Sequence, residues 1–102
     1  MDGPYDLDAV MALPSGWAER VIAAPRVHAP GRVFAYDNGA SYLLGVGLAE
    51  RVGTSLGAFA EEALFAPLGM RDVRWLRGPD GHDVGCAHLR IRAQDLGVVG
   101  EL

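Results

Sequence analysis

The longest regular pattern of hydrophobic residues lies between Asp37 and Gly53. Two interpretations fit its beginning. Residues 33–36 are strand-like and Asn38-Gly39 is a typical hairpin turn, so the segment could be a β-hairpin. Alternatively, Asp37 or Asn38 caps a helix, and one apolar face is formed at spacings of three and four by Ala40, Leu43, Leu44, Gly47, Leu48 and Val52. The pattern is too long for a hairpin arm and ends at a glycine suited to a helix C-terminus, so we favour the helix.

Two glycines inside this helix, Gly45 and Gly47, are unfavourable by themselves. Each costs about 1 kcal/mol relative to alanine in a helix interior. Glycines that persist in a helix usually permit the close approach of a neighbour. We therefore expect this helix to be packed inside the protein.

Shorter helical segments precede it. Asp6–Leu13 predicts a short helix that is stopped by Pro14. Ser15 is a suitable N-cap for a second helix over residues 16–24, which Pro25 closes. Residues 26–31 are expected to form a loop because Pro30-Gly31 favours a turn.

Further helices are predicted towards the end of the chain. Thr54 or Ser55 caps a helix to about Phe65, with Glu61 and Glu62 outward and a buried stripe of Leu56, Phe59, Ala60, Ala63 and Leu64. Residues 70–85 indicate a loop with a short strand at 73–75, and a last helix begins near Arg92. The fold class is thus mainly α, with little or no sheet, and residues 1–102 are expected to form a single, partial domain.

Composition narrows the possible functions. The net charge is −4 and the arginines are scattered, so we expect no nucleic-acid partner. No apolar stretch approaches the roughly 18 residues that a membrane span needs, and the first eight residues contain three aspartates and no basic residue, unlike a signal peptide. The localisation stays open. All nine basic side chains are arginine, so chemistry that needs a lysine amine is excluded from this chain.

Candidate nucleophiles are few. The serines are Ser15, Ser41 and Ser55, and none is followed three residues later by lysine. Ser41 lies one glycine short of the Gly-x-Ser-x-Gly nucleophile elbow, which needs a tight turn after the serine. We therefore predict that the chain holds no catalytic nucleophile, and that these serines are structural.

Metal chemistry has weak support in the sequence. His82, Asp83, Cys86 and His88 are possible ligands, but their spacing matches no tetrahedral zinc pattern. We interpret them, like His28, as surface or loop residues and predict no metal site. Cys86 is the only cysteine, so no internal disulfide can form.

A resemblance to a known family comes from motifs in a fixed order. Tyr36-Asp37-Asn38 is preceded by Pro30-Gly31 and an aromatic residue and followed by a helix with a Leu-Gly pair. Residues 48–56, the sequence Pro-Leu-Gly-Met at 67–70, Trp75 and the segment 89–96 with its Asp-Leu pair continue the pattern. Over about residues 15–102 the chain resembles serine β-lactamase-like hydrolases, which include class C β-lactamases, D-alanyl-D-alanine peptidases, esterases and 6-aminohexanoate-dimer hydrolases.

This resemblance implies acyl transfer on a small-molecule amide, lactam or ester, with no cofactor. It implies that Tyr36 is the catalytic proton-transfer phenol and that Asn38 binds the substrate amide, while Asp37 has no assigned role. The family's Ser-x-x-Lys segment and late Lys-Thr-Gly-type strand are missing here. Because phenols ionise only in alkaline solution without a neighbouring cation, Tyr36 alone should be inactive.

We therefore expect an internal fragment from the helical region of an α+β hydrolase. Two alternatives remain: a subunit completed by a partner chain that supplies serine and lysine, and an unrelated small helical binding or structural protein. Apolar helix faces left uncovered by a missing sheet would favour self-association or binding of the complementing chain.

Overall fold

The computed structural model describes residues 7–102 and is mainly helical, as predicted. In chain order the elements are α1 (Leu7–Met11), α2 (Trp17–Ile22), α3 (Asn38–Val52), α4 (Leu56–Ala60), a π-helical turn (Glu61–Phe65), β1 (Arg74–Trp75), β2 (Leu89–Arg90) and α5 (Ala93–Gly100). Within these residues the only sheet is the antiparallel pair of β1 and β2.

The central helix α3 begins and ends at the residues that the sequence predicts. The side chain of Asp37 accepts a hydrogen bond from the backbone N–H of Ala40 at 3.1 Å. At the other end Gly53 adopts a left-handed conformation with φ of 77°, which favours glycine. The helical interpretation is confirmed, and the hairpin interpretation of this segment is wrong.

The core lies where α1, α2 and the segment around Val84 meet one side of α3. The rings of Trp17 and Tyr42 are 5.9 Å apart between centroids, at an interplanar angle of 57°. Around them the buried side chains are Val10, Val21, Val46 and Val84. Packing of α3 against α2 therefore determines which face of α3 is inside.

The apolar face predicted for α3 is largely exposed instead of packed in the core. Leu44 is 75% exposed, and Ala40, Gly47, Leu48 and Val52 are exposed as well, while Leu43 is half-buried. The buried residues are Gly39, Tyr42, Gly45 and Val46. Tyr42 packs on Trp17, so this side of the helix faces the core and most of the aliphatic residues lie on the outer side.

The two glycines of α3 have different surroundings. A Cβ atom at Gly45 would lie 3.1 Å from Leu56 Cδ2 and 3.4 Å from the Cα atom of Gly85. A Cβ atom at Gly47 would meet nothing within 4 Å. The expectation of a close neighbour is confirmed at Gly45 and wrong at Gly47.

The next helix also begins as predicted but turns differently. Ser55 is its N-cap, since its hydroxyl accepts a hydrogen bond from the N–H of Ala58 at 3.1 Å. After α4, the π-helical turn inserts an extra residue, with the N–H of Ala66 bound to the carbonyl of Glu61. The buried face therefore shifts: Leu56 and Phe65 are buried, Phe59 and Ala60 are half-buried, and Glu61, Glu62, Ala63 and Leu64 are exposed.

The predicted cap of α2 is wrong. Ser15 makes no cap; Gly16 occupies the position in a left-handed conformation with φ of 77°. The acceptor comes from Asp80, whose carboxylate receives the N–H of Gly16 at 3.0 Å and that of Trp17 at 3.1 Å. The helix α1 ends at Met11, two residues before the predicted end at Leu13, and Asp6 lies outside the described residues.

The C-terminal part contains one element that the sequence did not indicate. The predicted short strand is β1, but its partner β2 was not anticipated; Arg74 is paired with Arg90 and Trp75 with Leu89. The last helix begins near Arg92, as predicted, and Arg92 occupies its N-cap position. The guanidinium group of Arg92 donates two hydrogen bonds to the carboxylate of Asp95, at 2.9 and 3.0 Å.

Candidate functional site

The two predicted site residues lie at the N-terminus of α3. Tyr36 is in the extended segment that leads into the helix and is 61% exposed. Asn38 is the first helical residue and is half-buried. Their positions on either side of the cap residue place both side chains at the same end of the helix.

Asp37, to which the resemblance gives no role, holds this end of the helix. Its backbone is extended, with φ of −145° and ψ of 100°, while its carboxylate accepts the N–H of Ala40. A carboxylate at this point satisfies an otherwise unpaired donor and interacts favourably with the positive end of the helix dipole. Asp37 therefore stabilises the start of the helix, and Tyr36 and Asn38 lie directly before and after it.

Tyr36 borders an open groove of about 410 Å³. The other lining residues are His28, Val33, Phe34 and Ala35. Phe34 is 91% exposed, an unusual state for a phenylalanine in a folded chain. An aromatic wall, an imidazole and a phenol thus lie around a space large enough for a small organic molecule.

Neither His28 nor Phe34 was given a role in this site by sequence reasoning. Phe34 was noted as the aromatic residue before Tyr-x-Asn, and alternation along 34–36 is the signal that could have placed it beside Tyr36. His28 is separated from Tyr36 by the turn at Pro30-Gly31. Only the direction of that turn, which the sequence does not specify, brings the histidine to the groove.

The structure does not bring a serine into a nucleophile geometry. Ser41 is an exposed residue of α3, four positions into the helix, rather than at a strand-to-helix turn. The hydroxyl of Ser55 is occupied as the cap of α4. Ser15 is exposed in the loop before α2.

The possible metal ligands are dispersed. Among residues 7–102, no three histidine, cysteine, aspartate or glutamate side chains are placed to hold a metal ion. Asp83 is buried and instead accepts the N–H of Gly57 at 2.6 Å. Burial raises the pKa of the Cys86 thiol, which keeps it neutral, whereas metals and electrophiles react with the thiolate.

The sequence matches the family model for β-lactamases over residues 2–95. This match covers most of the chain, in agreement with the resemblance carried by its motifs and with the mainly helical fold. The chain belongs to the β-lactamase family of hydrolases. Among curated proteins, none matches the chain. No helix within residues 7–102 is long and apolar enough to cross a membrane.

Proposed function

We propose that this chain provides the Tyr-x-Asn part of the active site of a serine hydrolase that transfers acyl groups from a small amide, lactam or ester. In this proposal Tyr36 moves the proton and Asn38 binds the substrate amide. The serine and the lysine come from residues outside these 102. The match to the β-lactamase family over residues 2–95 carries the proposal.

The geometry of the described residues supports these roles. A proton-transfer phenol has to reach the reacting atoms, and Tyr36 is exposed beside an open groove. Asn38 is the first residue of α3. Its amide can donate a hydrogen bond to a substrate carbonyl that lies at this end of the helix. The capped N-terminus of α3 would keep the two groups in constant relative positions.

The same chemistry predicts that the chain alone is inactive. Serine attack needs a base to remove the hydroxyl proton, and the sequence has no lysine to serve with Tyr36. Arginine remains charged at neutral pH and is a poor proton acceptor. Nucleophile and base are thus both missing from the site.

The first test is intact-mass spectrometry after incubation with an activated ester and, separately, with a penicillin. We expect no covalent adduct. A stoichiometric adduct on Ser15, Ser41 or Ser55 would show that the chain is an enzyme by itself and would overturn the proposal.

A second test examines Tyr36 directly. Residues 30–53 would replace the matching segment of an active β-lactamase-family enzyme, and the folded chimera would be assayed for hydrolysis. We expect Tyr36→Phe to lower kcat by about 100-fold or more, the usual contribution of an acid–base group. Tyr42→Phe, in the same segment but buried, is the matched control and should retain activity. Equal activity of the Tyr36→Phe chimera would reject the assigned role.

A complementing chain is the second candidate, and the outer row of α3 favours it. Leu44, Leu48 and Val52 are 75%, 39% and 37% exposed. Burial of such side chains stabilises an interface by about 25 cal/mol per Å² of apolar surface. Leu44→Lys should therefore reduce self-association of the chain in analytical ultracentrifugation. Leu96→Lys, on the exposed face of α5, is the control. Identical association of both variants would argue against this surface.

A further inference from the structure

The two-stranded ribbon places two positive charges side by side. Arg74 of β1 is directly opposite Arg90 of β2, and side chains of opposite residues project from the same face of a sheet. Both residues are exposed. Like charges in this arrangement repel each other and destabilise the pair unless an anion lies between them.

Within residues 7–102, two nearby arginines are paired with carboxylates, whereas Arg74 and Arg90 are not. Arg77 lies 3.5 Å from a carboxylate oxygen of Asp83, and Arg92 lies 2.9 Å from one of Asp95. In the part of the chain that the structure describes, Arg74 and Arg90 have no carboxylate within ion-pair distance. Among the described residues several other arginines also lack an ion pair, and what distinguishes Arg74 and Arg90 is that they lie directly opposite each other.

A groove of about 460 Å³ adjoins the arginine pair. It is lined by Arg74, Trp75, Leu76, His88 and Arg90. The indole N–H of Trp75 donates to the carbonyl oxygens of two residues in the loop before β2, at 2.8 and 3.2 Å. Trp75 and the strand backbone are therefore held in place, and the 47% exposed Leu76 provides an apolar surface in the groove.

We propose that this groove, the ribbon groove, binds a small organic carboxylate. The carboxylate accepts hydrogen bonds from the guanidinium groups of Arg74 and Arg90, and the hydrocarbon part packs against Leu76, two positions after Arg74 in the lining of the same groove. Charge-assisted bonds from guanidinium groups to carboxylates are among the strongest in proteins. A carboxylate with an apolar body uses both surfaces, whereas inorganic phosphate would use only the arginines.

This site is separate from the proposed hydrolase site. The ribbon groove and the groove beside Tyr36 share no lining residue. Its ligand would bind without acyl transfer, so the two proposals stand or fall independently.

The test is a titration of the intact 102-residue chain with hexanoate, hexanamide and phosphate, followed by amide chemical shifts of residues 74–76 and 88–90. We expect saturable shifts with hexanoate and at least tenfold weaker effects with hexanamide, which lacks the charge, and with phosphate. Arg74→Gln and Arg90→Gln should each weaken hexanoate binding by about tenfold, the expected effect of losing a charge-assisted hydrogen bond. Neither side chain has a partner among the described residues, so far-UV circular dichroism should be unchanged.

The matched control is Arg26→Gln, which removes the same charge from an exposed loop outside the groove. Its hexanoate affinity should stay within twofold of that of the unmodified chain. An equal loss of hexanoate affinity in all three variants would show that only the net charge of the chain matters and would overturn the site. Hexanamide or phosphate binding as tightly as hexanoate would overturn the assignment to an organic carboxylate.

Discussion

The carboxylate of Asp80 receives the backbone N–H of Gly16, 64 positions earlier in the chain, at 3.0 and 3.1 Å from its two oxygens. One of these oxygens also accepts the N–H of Trp17 at 3.1 Å. A remote residue thus performs the function of a local N-cap for α2 and anchors the ring that forms the centre of the core.

We expect Asp80→Ala to lower the free energy of unfolding by about 1–2 kcal/mol, as for the loss of other N-caps. Urea denaturation monitored by circular dichroism measures the change. Glu62→Gln, an exposed acidic residue without a described hydrogen bond, is the control for lost charge and should change stability by less than about 0.5 kcal/mol. An Asp80→Ala variant as stable as this control would show that the bond contributes nothing.

The ion pair of Arg92 and Asp95 predicts a loss of stability in acid. The hydrogen bonds from Arg92, then the N–H of Arg71 and the nearby charges, lower the pKa of the Asp95 carboxyl in the folded chain despite its burial. A lowered folded-state pKa means that the stabilisation is complete above the ordinary aspartate pKa of about 3.9 and disappears as the pH falls through the lower folded-state value.

The measurement is the difference in unfolding free energy between the unmodified chain and Asp95→Asn from pH 6 downwards. This difference should be constant above about pH 5 and shrink below pH 4, since protonation then removes the same charge. Glu50→Gln, an exposed change on α3, provides the reference slope. A difference that does not vary with pH would contradict the pKa assignment.

The contrast between the two glycines of α3 provides a matched pair. Gly47→Ala should raise the free energy of unfolding by about 1 kcal/mol, because alanine favours the helix and the site is open. Gly45→Ala gains the same helix propensity but pushes against Leu56 and the backbone of Gly85, so it should be less stable than Gly47→Ala by about 1 kcal/mol or more. Thermal unfolding of both variants checks the order. Equal stability would mean that the neighbours of Gly45 yield without cost.

The buried hydroxyl of Tyr42 predicts a stabilising substitution. It has no hydrogen-bond partner within residues 7–102. The pKa of this phenol is raised mainly by burial and, to a smaller extent, by the negative charge of Asp80. The adjoining apolar cavity measures about 10 Å³, too little to hold a water comfortably. Tyr42→Phe should therefore raise the free energy of unfolding by about 1 kcal/mol.

The exposed Tyr36→Phe is the reference for this substitution and should change stability by less than about 0.5 kcal/mol. Chemical denaturation of the two variants gives the comparison. A loss of stability in Tyr42→Phe would mean that the hydroxyl has a partner that the described residues do not include.

Sequence signals predicted the structure correctly where the two interacting residues are close together in the chain. Asp37 or Asn38 was predicted to cap α3, and Thr54 or Ser55 to cap α4; Asp37 and Ser55 are the caps, and Gly53 ends α3. These interactions span three or four residues, so a short sequence window contains both partners. The position of Tyr36 beside α3 follows from the same short window.

Features that depend on distant partners were missed. Nothing near Ser15 shows that Asp80 will replace it as the cap of α2. The apolar face of α3 was predicted from the spacing of its aliphatic residues, whereas contact with Trp17 places Tyr42 in the core. Periodicity identifies a helix but does not specify which side meets its neighbour.

The origin of the caps has a consequence for the order in which the chain folds during synthesis. α3 carries its own cap at Asp37, so it can form as soon as its residues leave the ribosome. α2 emerges earlier, but its acceptor Asp80 is translated 64 residues after Gly16 and must close a long loop to reach it. α2 is therefore expected to become stable later than α3, although its residues are translated before those of α3.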